Sequence, residues 1–98
     1  MTRKLPPLHP GEVLREEFMK PLGVSAYAIA TACHLPRTRI ERIAKEEVGI
    51  TADTALRLAK LLNTTPEFWL NLQTQYEIET TGASIASDLK TIAPRIAA

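Results

Sequence analysis

Between Ser25 and Lys45 the chain concentrates side chains suited to reading a nucleic acid: Arg37, Thr38, Arg39, Arg42 and Lys45, with Ser25 and Tyr27 upstream. Arginine bonds bidentately to guanine O6 and N7, and threonine contacts a base edge or a thymine methyl. Lysine meets a phosphate as a point charge. Ile40, Ile43 and Ala44 recur among them at helical spacing. Burying those three turns Arg37, Thr38, Glu41, Arg42 and Lys45 outward and leaves Arg39 at the margin. The helix start around Ser25 to Tyr27 would offer free backbone N–H groups to a phosphate. A plainer reading uses the same charges differently: Glu41, Glu46 and Glu47 could pair with Arg37 and Arg42 and merely solvate the helix.

Other chemistries find little material. The single cysteine, Cys33, forms no internal disulfide, and it sits on the apolar stripe of its helix as a small core residue. His9 and His34 lie far apart and are read as flanking a helix and turning the chain. There is no zinc spacing, no glycine-rich phosphate loop and no paired-carboxylate signature. The expectation is therefore a protein that is not an enzyme and holds no metal or cofactor.

The elements that must position these groups are helices. The chain has 98 residues, 45% hydrophobic and 23% charged, which suits one small ordered domain. Its net charge of +1 excludes a uniformly basic nucleic-acid coat, so any such role rests on the local cluster. No apolar run is long enough for a membrane span, and no apolar stretch follows the first basic residues as in a secretory signal. A cytoplasmic location is expected.

Residues 1–9, with Pro6 and Pro7, read as an extended arm. Pro10 opens a first helix with Val13, Leu14 and Phe18 inward and acidic Glu12, Glu16 and Glu17 near its start; Pro21 and Gly23 stop it. Ser25 caps a short second helix to Cys33, and Leu35-Pro36 makes the turn into a third, which runs to Lys45 or Glu46 before Gly49 breaks the chain. Two short helices joined by about three residues form a helix-turn-helix candidate. Thr51 caps a fourth helix carrying Ala55, Leu58, Ala59 and Leu62. Thr65-Pro66-Glu67 starts a fifth, expected to end near Thr80, with Gly82 as breaker and a final helical segment from Ser84 to Ala93. The arrangement predicts an all-α fold, with a helix-turn-helix domain over residues 10–80 and a C-terminal tail over 81–98. The fifth helix is apolar on more than one side, so Phe68, Trp69, Leu72 and Tyr76 are candidates for a homodimer interface.

Three strings carry a resemblance: His9-Pro10-Gly11-Glu12, the run from Gly49 to Ala59, and Phe68-Trp69-Leu70-Asn71-Leu72-Gln73. They resemble the HigA-type antitoxin family, also known as virulence-associated protein I, within the Cro/C1-repressor-like class, and they cover roughly residues 8–80. The resemblance implies a five-helix, lambda-repressor-like fold and a homodimer that represses its own operon through double-stranded operator DNA. It also implies a partner, a HigB-like toxin of the RelE kind that cleaves mRNA. Two positions depart from the pattern. His34 stands where relatives usually have a turn glycine, and Ala26 stands where the wider class often has glutamine, so a phosphate contact there would fall to backbone amides or Tyr27. Two other readings compete: a stand-alone transcriptional repressor of the same fold, and a protein-interaction module without DNA binding.

Overall fold

The computed structural model describes residues 5–96, so Met1 to Lys4 of the expected arm and the last two residues lie outside it. The regular structure is helical throughout, in six helices among the described residues. Helix α1 spans residues 10–22 in three continuous pieces: α-helical Pro10–Val13, a π-helical stretch Leu14–Met19, and α-helical Lys20–Leu22. The widened turn ends with the Lys20 N–H donating to the Arg15 carbonyl, just before Pro21, which has no N–H to donate. Pro21 thus lies inside the helix, and the stop falls at Gly23, which is left-handed. His9 is the N-cap: its buried Nδ1 accepts the Gly11 N–H at 2.9 Å.

Helix α2 spans Ala26–Cys33 and starts on the Ser25 hydroxyl, which accepts the Ala28 N–H at 3.1 Å. It ends on His34, at φ 60° and ψ 45°. Helix α3 spans Arg37–Ala44, with Pro36 extended in the cap position rather than as first helical residue. The chain then turns at Glu46, which takes φ 64°, so the break expected at Gly49 occurs three residues earlier. Helix α4 spans Ala52–Leu62, capped by Thr51 and closed by left-handed Asn63.

Helix α5 spans Pro66–Ser84 and therefore runs through Gly82. One glycine costs a helix about 1 kcal/mol but does not stop it unless the chain also turns left-handed there. The actual break is at Ile85, and helix α6 is only Ala86–Lys90, shorter than the segment expected.

The core lies where α1 to α5 meet. Leu14, Ile29, Ile40, Ile43, Leu58 and Trp69 are essentially inaccessible, with Val13, Ala30, Cys33, Ile50, Ala55 and Ala59 between them. Each large aliphatic side chain removed from water in this way contributes roughly 1.5–3 kcal/mol. Trp69 donates its indole N–H to the Thr64 hydroxyl at 2.8 Å and packs tilted on Phe18 at 5.4 Å. His9 meets the edge of Tyr76 at 4.7 Å, which ties the start of α1 to α5. Helix α6 packs against α5 and leaves Leu89 and the following Ile92 exposed. No helix among the described residues is long and apolar enough to cross a membrane.

Candidate nucleic-acid interface

Ile40, Ile43 and Ala44 anchor α3 to the core. At about 100° per residue, the side chains opposite them are Thr38, Arg42 and Lys45, a stripe at i, i+4 and i+7. All three are exposed. Arg37 lies at the exposed N-terminal end, and Arg39 lies to one side, facing α4. Two of the arginines are also engaged as the plainer reading anticipates: Arg37 Nε lies 3.3 Å from Glu41 and Arg42 Nε 3.6 Å from Glu47. Such exposed pairs are worth only about 0–1 kcal/mol, so they hold the side chains loosely and exchange readily for a phosphate or base. Tyr27 is exposed on the first turn of α2. Ser25 accepts the Ala28 N–H with its hydroxyl, and the amides ahead of it, of Ala26 and Tyr27, have no intrahelical partner.

The pose of this helix pair is fixed from outside it. At the end of α2, Arg57 of α4 donates from Nη1 to the Cys33 carbonyl at 2.8 Å and to the His34 carbonyl at 3.4 Å. At the end of α3, Arg15 of α1 donates from Nη1 to the Ala44 carbonyl, while its other nitrogens meet Glu46 at 3.2 Å and Glu16 at 2.9 Å. Carbonyls at a helix C-terminus are unpaired acceptors at the negative end of the dipole, and a guanidinium satisfies both needs. The bonds to Glu16 and Glu46 raise the Arg15 pKa above its ordinary value. Neither Arg15 nor Arg57 is singled out by the sequence. No local signal marks them, since each sits off the buried stripe of its helix, Val13 and Leu14 in α1 and Ala55, Leu58 and Ala59 in α4.

Between α3 and α4, the Ile50 N–H donates to Gln73 Oε1 of α5 at 2.8 Å. Gly49 makes room for it, since a Cβ there would lie 2.6 Å from the Gln73 amide. Asn71, in contrast, faces solvent. Burial pushes the Cys33 thiol pKa up, in keeping with a core residue.

Of the four residues expected at a dimer interface, Trp69 is fully buried in the single chain and has no surface for a second copy to cover; it is a core residue. Phe68 is exposed, and Leu72 and Tyr76 are half-buried. His34, at the turn glycine position of the resemblance, does take the left-handed conformation that glycine favours.

The helix-turn-helix family HTH_3 matches residues 16–69. Virulence-associated protein I of Dichelobacter nodosus is 50% identical over 76 residues, 78% of this chain and 70% of that one. The antitoxin HigA of Pseudomonas aeruginosa, solved with the higBA promoter, superposes with a TM-score of 0.88 at 36% identity, covering 92% of this chain and 99% of that one. This chain belongs to the HigA-type antitoxin family. The antitoxin GraA in complex with its operator also superposes with a TM-score of 0.88, at 42% identity, covering 100% of this chain and 99% of that one.

The three strings that mark this HigA-type chain each have a structural reason. His9 caps α1, Pro10 fills its first position and Gly11 lets α1 approach α3. The run from Gly49 to Ala59 holds the Thr51 cap and Arg57. Phe68 to Gln73 supplies the core indole and the amide that fastens Ile50.

Proposed function

We propose that this chain is a homodimeric antitoxin and autorepressor that works in the cytoplasm by binding alone. In this reading α3 enters the major groove of its own operator, with Arg37, Thr38 and Arg42 toward the bases and Arg39 and Lys45 toward phosphates. Ser25 and Tyr27, at the start of α2, meet the backbone. The observation that carries the reading is the stripe of Thr38, Arg42 and Lys45, exposed on a helix whose opposite side is locked into the core. The likeness to HigA solved with its promoter and GraA with its operator supports it.

A second copy supplies the other half-site, as two-fold repressors require. The apolar side chains left uncovered on α5 and α6, Phe68, Ile78, Ile85 and Leu89, with half-buried Leu72 and Tyr76, are the surface offered for that contact. The remaining partner is a HigB-like mRNA-cleaving toxin, and exposed Glu12 and Glu17 on α1 and Glu67, Glu77 and Glu79 on α5 give an acidic surface to meet an RNA-binding, hence basic, protein. A mobility-shift titration with the DNA upstream of the chain's own gene tests the repressor role; retardation is expected, and free migration at micromolar protein overturns it. Co-expression with the adjacent open reading frame tests the antitoxin role through relief of growth arrest.

A further inference from the structure

Asp53, in the first turn of α4, sits between two arginines. Its carboxylate accepts from Arg39 Nη1 at 2.9 Å and from Arg57 Nε at 3.2 Å. Arg57 is itself tied to the carbonyls of Cys33 and His34. A continuous polar chain therefore runs from the end of α2, through α4, to the flank of α3: carbonyls, guanidinium, carboxylate, guanidinium. Its last member is a side chain at the edge of the nucleic-acid face.

Two physical facts make this arrangement more than a surface ion pair. First, an exposed carboxylate beside a surface meant for DNA repels phosphate, so by charge alone Asp53 works against binding. Second, arginine has several rotatable bonds, and ordering it at the moment of contact costs part of the contact's free energy. A carboxylate that Arg57 holds at both oxygens lowers that cost in advance, which the isolated ion pairs of Arg37 and Arg42 do not. Arg39 gives up one nitrogen to Asp53 and keeps Nε and Nη2 for another acceptor.

We propose that Asp53 is a positioning residue for operator readout: it holds Arg39 at the α4 edge of α3 so that this guanidinium meets one defined backbone phosphate, and thereby fixes the register of the helix on its site. This rests on the repressor reading given above. Phosphate contacts set register, and register decides whether the base-reading side chains face their bases. The repulsion and the positioning then act on different quantities. Repulsion weakens binding to any duplex, whereas positioning favours the operator alone.

The experiment measures operator and unrelated duplex affinities side by side for the native chain, Asp53→Asn, Asp53→Glu, Arg39→Ala and the double variant Arg39→Ala/Asp53→Asn. The expected result for Asp53→Asn is an unchanged or tighter grip on unrelated DNA with a roughly tenfold fall in the operator-to-unrelated ratio, the scale of one well-placed arginine contact. Asp53→Glu restores part of the ratio. In the double variant, Asp53→Asn adds nothing to the loss already caused by Arg39→Ala. A purely structural role for Asp53 behaves otherwise: both affinities fall together with the melting temperature, and the loss persists without Arg39. Either that pattern or an unchanged ratio overturns the proposal. Failure of the native chain to retard its upstream DNA overturns the repressor reading instead, so the two failures are distinguishable.

Discussion

Gly11 of α1 lies against the carbonyl of Ile43 in α3 so closely that a Cβ on Gly11 would fall 1.8 Å from that oxygen. The obstacle is backbone, so no side-chain rotation relieves it. Gly11→Ala is expected to push α1 off α3 at a cost of about 3 kcal/mol, at the upper end of overpacking in a core. Urea denaturation reads the loss. Because α3 is displaced, operator affinity should fall further than the folded fraction alone explains.

His34 holds a left-handed conformation that costs a non-glycine residue roughly 1 kcal/mol. Glycine pays part of that back through its freer unfolded chain. His34→Gly should therefore stabilise the fold by about 0.5 kcal/mol in denaturant titration, with operator affinity unchanged. A destabilised variant would show that the imidazole has contacts that matter more than its backbone angle.

Burial holds the His9 pKa below its ordinary value, against the opposing pull of Glu46, while Arg15 lowers it further. The Nδ1 atom that caps α1 must be unprotonated to accept the Gly11 N–H. The unfolded chain therefore binds its proton first, near pH 6.5. The stability contributed by neutral His9 is fully present above that pH and is lost as pH falls toward the lower folded-state pKa. His9→Asn keeps a capping oxygen without a titrating ring, so its stability should vary less between pH 7 and pH 5 than that of the native chain.

On the outward face of α3, Arg37→Ala or Arg42→Ala should cost roughly 1–3 kcal/mol of operator binding and relax preference at one base position. Lys45→Ala should weaken all sequences about evenly and reduce the salt slope by about 1. Intact operator binding in the triple alanine variant of Arg37, Thr38 and Arg42 would remove α3 as the reading element.

Leu89 is exposed on α6, which packs against α5. Leu89→Lys combined with Ile85→Lys should leave the proposed dimer a monomer in light scattering, with helical content unchanged. A variant that stays dimeric would move the interface elsewhere.

The helical frame was legible where a local signal decides: the caps Ser25, Thr51 and Thr65, the periodic Ala55, Leu58 and Ala59, and the turn at His34. The errors share a cause. Gly49 and Gly82 have the residue type of a breaker, yet one makes room for Gln73 and the other lies inside a helix. The real break between α3 and α4 is at Glu46, a residue with no left-handed preference. The π-helical stretch of α1 leaves no mark in the apolar pattern. At the site, the outward residues of α3 followed from the inward ones. The clamps made by Arg15 and Arg57 did not, because their partners are backbone carbonyls distant in sequence, and a carbonyl has no residue type to search for.

The edge contact between His9 and Tyr76 joins the start of the first helix to the second half of α5. A chain emerging from the ribosome makes α1, α2 and α3 long before Tyr76 exists. Until then the seat of α1 is incomplete, and α1 is what carries Arg15 to the end of α3. Helix α3 therefore reaches its final pose only after Tyr76 has been made. Products truncated before Tyr76 would be poor competitors for the operator, and a nascent molecule would exert no repression before Tyr76 has emerged.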